Sequence, residues 1–197
     1  MSRFSRICVY CSSSDAVPQA YRDAAQAMGL ALAARGIGLV FGGGRVGLMG
    51  TIADAVLQAG GEVIGVIPEK LQDRELGHTG CTELHVVDTM HTRKAMMMDL
   101  SDAFIAMPGG YGTMEELFEA TTWAQLNYHT KPVGLLNIRG FFDPVVQWVE
   151  RAVSEGFVRP HHADLMTVAA TPVELLGQLE DATVPSIEGW LPPSRSS

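Results

Sequence analysis

Apolar positions along the chain fall into two alternating patterns. Short, nearly continuous apolar runs occupy 6–11 (RICVYC), 37–41 (IGLVF), 62–67 (EVIGVI), 84–87, 102–107 (DAFIAM) and 132–138 (PVGLLNI), with a weaker one at 166–169. Runs of this kind fit strands covered on both faces, as in a parallel sheet. Longer segments with helical spacing lie between them, at 18–35, 47–59, 89–100, 113–126, 142–155 and 172–181. Gly36, Gly60 and Gly156 follow three of these and read as helix stops. The alternation predicts an α/β fold, with an open, doubly wound sheet and helices on both faces. Residues 69–83 read as a polar loop. Nothing resembling a linker divides the chain, so one domain is expected over 1–182, with a flexible tail at 183–197 ending LPPSRSS.

Composition narrows the function classes. The chain has 197 residues, 47% hydrophobic and 18% charged, which suits one globular domain. Fourteen Lys and Arg against twenty-two Asp and Glu leave a formal charge of −8, with no basic run. Nucleic-acid binding draws on clustered cations and is therefore excluded. No stretch approaches the ~20 apolar residues of a membrane span, and the first apolar run is too short for a secretory signal. A cytoplasmic protein is expected. Cys8 and Cys11 form a C-x-x-C, but within a strand their side chains point to opposite faces, and Cys81 is alone. They read as small buried hydrophobes.

Two loops carry the first chemical signal. One is Gly42-Gly43-Gly44-Arg45-Val46-Gly47 and the other Pro108-Gly109-Gly110-Tyr111-Gly112-Thr113. Each links a strand to a helix. Glycines let backbone approach a ligand, and the helix start offers unpaired N–H groups. Both loops are expected to hold a phosphate-bearing small molecule. In open α/β sheets such ligands lie at the carboxyl ends of strands. Ser12, Ser13 and Ser14, after the first strand, either help hold the phosphate or shape the turn.

The candidate reactive groups lie nearby. Thr113-Met114-Glu115-Glu116 spells a capping box, so Glu116 either bonds back to the Thr113 N–H or faces the ligand. Met90, Arg93 and Met97 share one helical stripe. Arg93 is either a solvated arginine or a guanidinium aimed at a bound anion or at Glu116. The methionines read as core. The six histidines show no metal-ligand spacing, and no metal or cofactor is expected. Gly42, Gly44 and Gly47 form a G-x-G-x-x-G, but Glu62 begins the next strand and Glu69 comes after it, so the acidic partner of a dinucleotide site is misplaced. No P-loop and no G-x-S-x-G is present.

Together these residues resemble the Lonely Guy family of cytokinin riboside 5′-monophosphate phosphoribohydrolases. The motifs are P-G-G-x-G-T-x-x-E at Pro108–Glu116, the pair Arg93-Lys94, and G-G-G-x-x-G-L-M-G at Gly42–Gly50, flanked by T-W-A-Q-L at Thr122–Leu126. The likeness covers about residues 6–180, departing at Ser12-Ser13, where the family usually has Gly-Ser. It implies a Rossmann-like fold and a homodimer with sites near the interface. It implies hydrolysis of N6-substituted AMP, or AMP, to free base and ribose 5-phosphate. Arg93 and Glu116 would be the catalytic pair. Glu75, Met90, Lys94, Gly110, Tyr111, Gly112, Thr113 and Thr122 would contact the nucleotide, with Gly42, Gly43, Gly44, Gly47 and Ser13 around it. Members are often labelled lysine decarboxylases, yet nothing marks a pyridoxal-phosphate lysine. The alternative is a nucleotide- or cofactor-binding carrier without hydrolysis.

Overall fold

The computed structural model describes residues 2–184, without the side chains of 73–75. Seven parallel strands form one sheet: β1 (Arg6–Tyr10), β2 (Gly38–Phe41), β3 (Val63–Pro68), β4 (Glu83–Val87), β5 (Ala103–Ala106), β6 (Val133–Leu136) and β7 (Met166–Ala169). Their order is β4-β3-β2-β1-β5-β6-β7. The expected α/β class and parallel sheet are thus observed. Adjacent strand residues face opposite layers. In β1, Ile7 and Val9 join one core, while Cys8 and Tyr10 join the other.

The helices are α1 (Gln19–Ala34), α2 (Gly47–Gln58), α3 (Glu69–Glu75), α4 (Met90–Asp99), α5 (Tyr111–Gln125), α6 (Asp143–Ser154) and α7 (Pro172–Asp181). Met28 and Leu32 of α1, Leu48 and Ile52 of α2, and Leu175 and Leu179 of α7 fill the first core. Met97 and Met98 of α4, Leu117 and Ala120 of α5, and Phe142 before α6 fill the second. Gly36, Gly60 and Gly156 follow α1, α2 and α6 at φ of 68°, 78° and 80°, which a side chain would strain.

One expectation fails. Residues 69–83 are not all loop, because α3 takes up the first seven. Leu76 ends that helix in the left-handed region at φ 50°. A seven-residue helix is too short to show an apolar period, which is why the sequence hid it. The expected tail lies outside the described residues from 185 onward.

The order reverses at β1. The chain builds outward from β1 to β4, then returns through α4 to place β5 on β1's other side. Carboxyl-end loops diverge at such a reversal and open a crevice.

Candidate functional site

At that reversal lies a cleft of about 310 Å³, a size suited to a small ligand. Its walls come from five elements, one of them α2, which gives Met49. The end of β1 and the following turn give Tyr10, Cys11 and Ser12–Ser14. Gly42 follows β2, and Arg93 and Met97 descend from α4. Gly110–Thr113 and Glu116 come from the start of α5.

Arg93 is the floor. Its side chain is only 8% exposed. Nε donates to the Val66 carbonyl at 3.1 Å and Nη2 to the Gly42 carbonyl at 3.0 Å. Nη1 lies 3.7 Å from Glu116 Oε1, whose side chain is 11% exposed. A buried cation needs such partners to offset lost hydration. Of the two readings open in the sequence, the solvated arginine is therefore wrong.

The capping box also gives way. Helix α5 starts at Tyr111, with Gly110 at its N-cap and no side chain capping it. Thr113 is inside the first turn and buried. Residue 116 is thus too far along to close a capping box on residue 113. The first N–H groups of α5 lack intrahelical partners, their residues Gly110–Thr113 line the cleft, and the helix dipole adds positive potential there. A β-carbon on Gly110 or Gly112 would meet open space, so the approach is unobstructed.

The first glycine loop serves differently. The Gly47 N–H donates to Asp15 Oδ1 at 3.0 Å, and Leu48 and Met49 N–H donate to the Ser12 carbonyl at 2.9 and 3.3 Å. The start of α2 is thus occupied by the turn after β1. Gly47 has φ 70°, and a β-carbon there would fall 2.5 Å from the Ser13 carbonyl carbon. The Gly43 carbonyl accepts from His78 N–H at 2.8 Å, and Gly44 pairs with Gly77. Gly43, Gly44 and Gly47 lie outside the cleft lining formed by the described residues. Among the described residues of the first loop, Gly42 lines the cleft, beside Arg93, while the N–H groups at the start of α2 are engaged by Asp15 and the Ser12 carbonyl.

Other expected contacts also stand apart from this lining. Met90 is 42% exposed, with its sulfur 3.9 Å from Arg93 Nη1. Thr122 is exposed three turns along α5. Lys94 bonds Glu115 and Glu119 on α5 rather than pointing into the cleft. Glu75 ends α3, and its side chain is outside the described set. Conversely, sequence reasoning passed over Tyr10, Met49 and Met97 as cleft walls. The end of an apolar strand was the one available signal, and it marked only Tyr10.

Burial, with the nearby Glu116 charge, pushes the thiols of Cys8 and Cys11 far up. Burial does the same to the Tyr10 phenol, with Cys8 and Glu116 adding to it. All three stay neutral. Among the described residues, no group of three or more His, Cys, Asp or Glu could hold a metal, and no helix is long and apolar enough to cross a membrane.

Comparison with known proteins bears on this geometry. Residues 49–179 match the profile of a family described as "Possible lysine decarboxylase". Over 180 residues the chain is 51% identical to cytokinin riboside 5′-monophosphate phosphoribohydrolase LOG of Oryza sativa subsp. japonica, covering 91% of this chain and 74% of that one. The chain belongs to this phosphoribohydrolase family. A second member, LOG1 of Arabidopsis thaliana, is 49% identical over 180 residues, with 91% and 84% covered. Among solved structures, the molybdenum cofactor binding protein of Rippkaea orientalis superposes at TM-score 0.70 and 23% identity, covering 91% of this chain and 97% of that one. At that identity the likeness establishes the shared fold alone. The stretch shared with the rice and Arabidopsis phosphoribohydrolases is long enough to take in nearly all of the sheet and its helices.

Proposed function

We propose that this protein is a hydrolase that cleaves the N-glycosidic bond of N6-substituted AMP, or AMP itself, to free base and ribose 5-phosphate. The observation that carries the reading is the buried Arg93–Glu116 pair, 3.7 Å apart, on the floor of a cleft beneath an uncapped helix start. Membership of the phosphoribohydrolase family supports it.

The 5′-phosphate sits at the N–H groups of Gly110–Thr113, where helix geometry and dipole favour an anion. That anchor places the ribose over Glu116. As the bond from C1′ to the base breaks, positive charge grows on the sugar. The Glu116 carboxylate stabilises it and takes the proton of the water that adds to C1′. The base leaves with the glycosidic electron pair and a proton from solvent. Arg93 stays protonated throughout and serves as the fixed counter-charge that orients Glu116. The neutral Tyr10, Cys8 and Cys11 leave these two as the charged groups of the floor.

Decarboxylation through a pyridoxal Schiff base would need a lysine in the cleft. Lys94 is held by two glutamates, Lys131 bonds the Met98 carbonyl, and neither these nor Lys70 lines it.

We also propose a homodimer. Met90 and Thr122 lie on exposed parts of α4 and α5, outside the cleft. A second copy docked there would bring such residues against a nucleotide. One domain over 1–182, in the cytoplasm, completes the reading, and three unpaired cysteines suit a reducing compartment.

The test is chromatography of AMP and N6-isopentenyl-AMP incubated with the parent protein and with Glu116→Gln. Free base from the parent, and at least ~100-fold less from the variant, is the expected result. Binding of both nucleotides without base release points instead to a carrier. Equal release by parent and variant removes Glu116 from the chemistry.

A further inference from the structure

Lys94 stands outside the cleft, yet it is fastened to the helix that carries Glu116. Its Nζ bonds the Glu115 carboxylate and lies 2.9 Å from Glu119 Oε1. The two glutamates are one turn apart, so a single ammonium grips one face of α5. The lysine side chain is only 14% exposed. Burial works against its charge, but the bonds from Glu115 and Glu119 outweigh it and keep the ammonium protonated.

Helix α4 is itself anchored. Thr89 caps it by accepting from Thr92 N–H at 3.0 Å, and Thr92 Oγ1 donates to Asp88 at 2.7 Å. Arg93 is bonded to the carbonyls of Gly42, just past β2, and Val66, within β3. Residue 93 therefore fastens α4 to the sheet, and residue 94 fastens it to α5. The Arg93–Glu116 separation of 3.7 Å is longer than a hydrogen bond, so small movements of α5 change this pairing directly. The sheet-facing side of α5 buries Thr113, Leu117, Ala120 and Ala124, with Met114 packed against that core and Phe118 edge-on to Trp148, and Lys94 adds a polar tie to this packing from α4.

Rotation about the axis acts unequally along α5. A turn of about 10° moves a side-chain tip at the ~6 Å helix surface by about 1 Å. The backbone N–H groups, at about 2 Å from the axis, move by only about 0.3 Å. Glu116 would be displaced while the phosphate anchor stayed in place.

We infer that Lys94 is a positioning residue: through Glu115 and Glu119 it sets the rotation of α5 and so holds Glu116 in line with Arg93. The inference rests on the hydrolase reading and assigns Lys94 no bond to the nucleotide. Its signature is a loss in kcat with little change in KM.

The experiment is steady-state base release from AMP, with thermal melts, for the parent, Lys94→Met, Lys94→Arg, the pair E115Q/E119Q, and the triple variant. Lys94→Met is expected to lose roughly ten- to a hundredfold in kcat while KM stays within about twofold. Lys94→Arg restores most of the rate. E115Q/E119Q reproduces the loss, and the triple variant is no worse than either, as groups acting through one link are not additive. A rise in KM at unchanged kcat makes Lys94 a nucleotide contact and overturns the inference. So does full activity of a folded E115Q/E119Q. If the parent itself releases no base, the hydrolase reading fails and this inference fails with it. Release by the parent with either contrary pattern removes the positioning role alone.

Discussion

Arg93 Nη2 occupies the space that a side chain on residue 42 would need. A β-carbon built on Gly42 falls 2.0 Å from that nitrogen and 3.0 Å from Met49 Sδ. The glycine is therefore required by the arginine, not by its own backbone, whose φ is not in the left-handed region.

Gly42→Ala should then act as an Arg93 variant. The methyl group pushes the guanidinium off the Gly42 carbonyl and away from Glu116. We expect roughly a hundredfold lower kcat and a loss of about 1–3 kcal/mol in stability, measured by base release and urea unfolding. Retention of full activity would show that Arg93 tolerates relocation. Arg93→Lys is expected to be inactive as well, since one ammonium cannot serve the Val66 and Gly42 carbonyls and Glu116 together.

The occupied start of α2 gives an opposite pair of expectations. Asp15→Asn weakens the bond to the Gly47 N–H and should cost about 1 kcal/mol, with KM for AMP unchanged. Gly47→Ala should cost more, at least ~2 kcal/mol, because a strained φ and a backbone clash combine. If the first loop did hold phosphate, removing the competing Asp15 charge would lower KM instead.

Much of this was legible in the chain, and the failures have physical causes. Uninterrupted apolar runs gave away the strands because both faces of a parallel sheet are covered. Helix α3 escaped because seven residues carry no periodicity. The two glycine loops look alike in sequence, yet one start is filled by the Ser12 carbonyl and Asp15 while the other has no side-chain cap. That difference depends on which strand lies beside each loop, a long-range fact that local spacing does not contain. Thr113 and Glu116 matched a capping box, but Gly110 starts the helix three residues earlier and voids it.

Thiol reactivity provides a third check. Cys8 and Cys11 are buried, with thiols pushed far up by burial, and burial pushes Cys81 up to about 11. The thiolate is the reactive form, so at pH 8 the native protein should react with a disulfide reagent at well under the rate of free cysteine. Denaturation should release three equivalents. Rapid native reaction, or only one equivalent after unfolding, would reveal an exposed thiol or a Cys8–Cys11 disulfide.

Acid sensitivity follows from His162. It is 5% exposed, and burial, helped by the neighbouring positive charges of His161 and Arg159, lowers its pKa. A base with a depressed folded pKa takes up protons more readily when unfolded. Stability is therefore complete above the unfolded value of about 6.5 and declines as pH falls toward the folded one. His129 shifts in the same direction, also through burial. Urea midpoints from pH 7 to 5 should decline less steeply in His162→Gln than in the parent. An unchanged slope would place the acid-sensitive group elsewhere.

The acceptors beneath Arg93 are main-chain oxygens of residues 42 and 66. Every amino acid brings the same carbonyl, so substitutions at 66 that preserve the strand leave the anchor in place. The guanidinium's seat is inherited with the topology of β2 and β3 rather than spelled by particular side chains. Side chains in the surrounding core can then change without unseating it, and the seat itself asks only for the arginine and for a glycine at 42 that makes room for it.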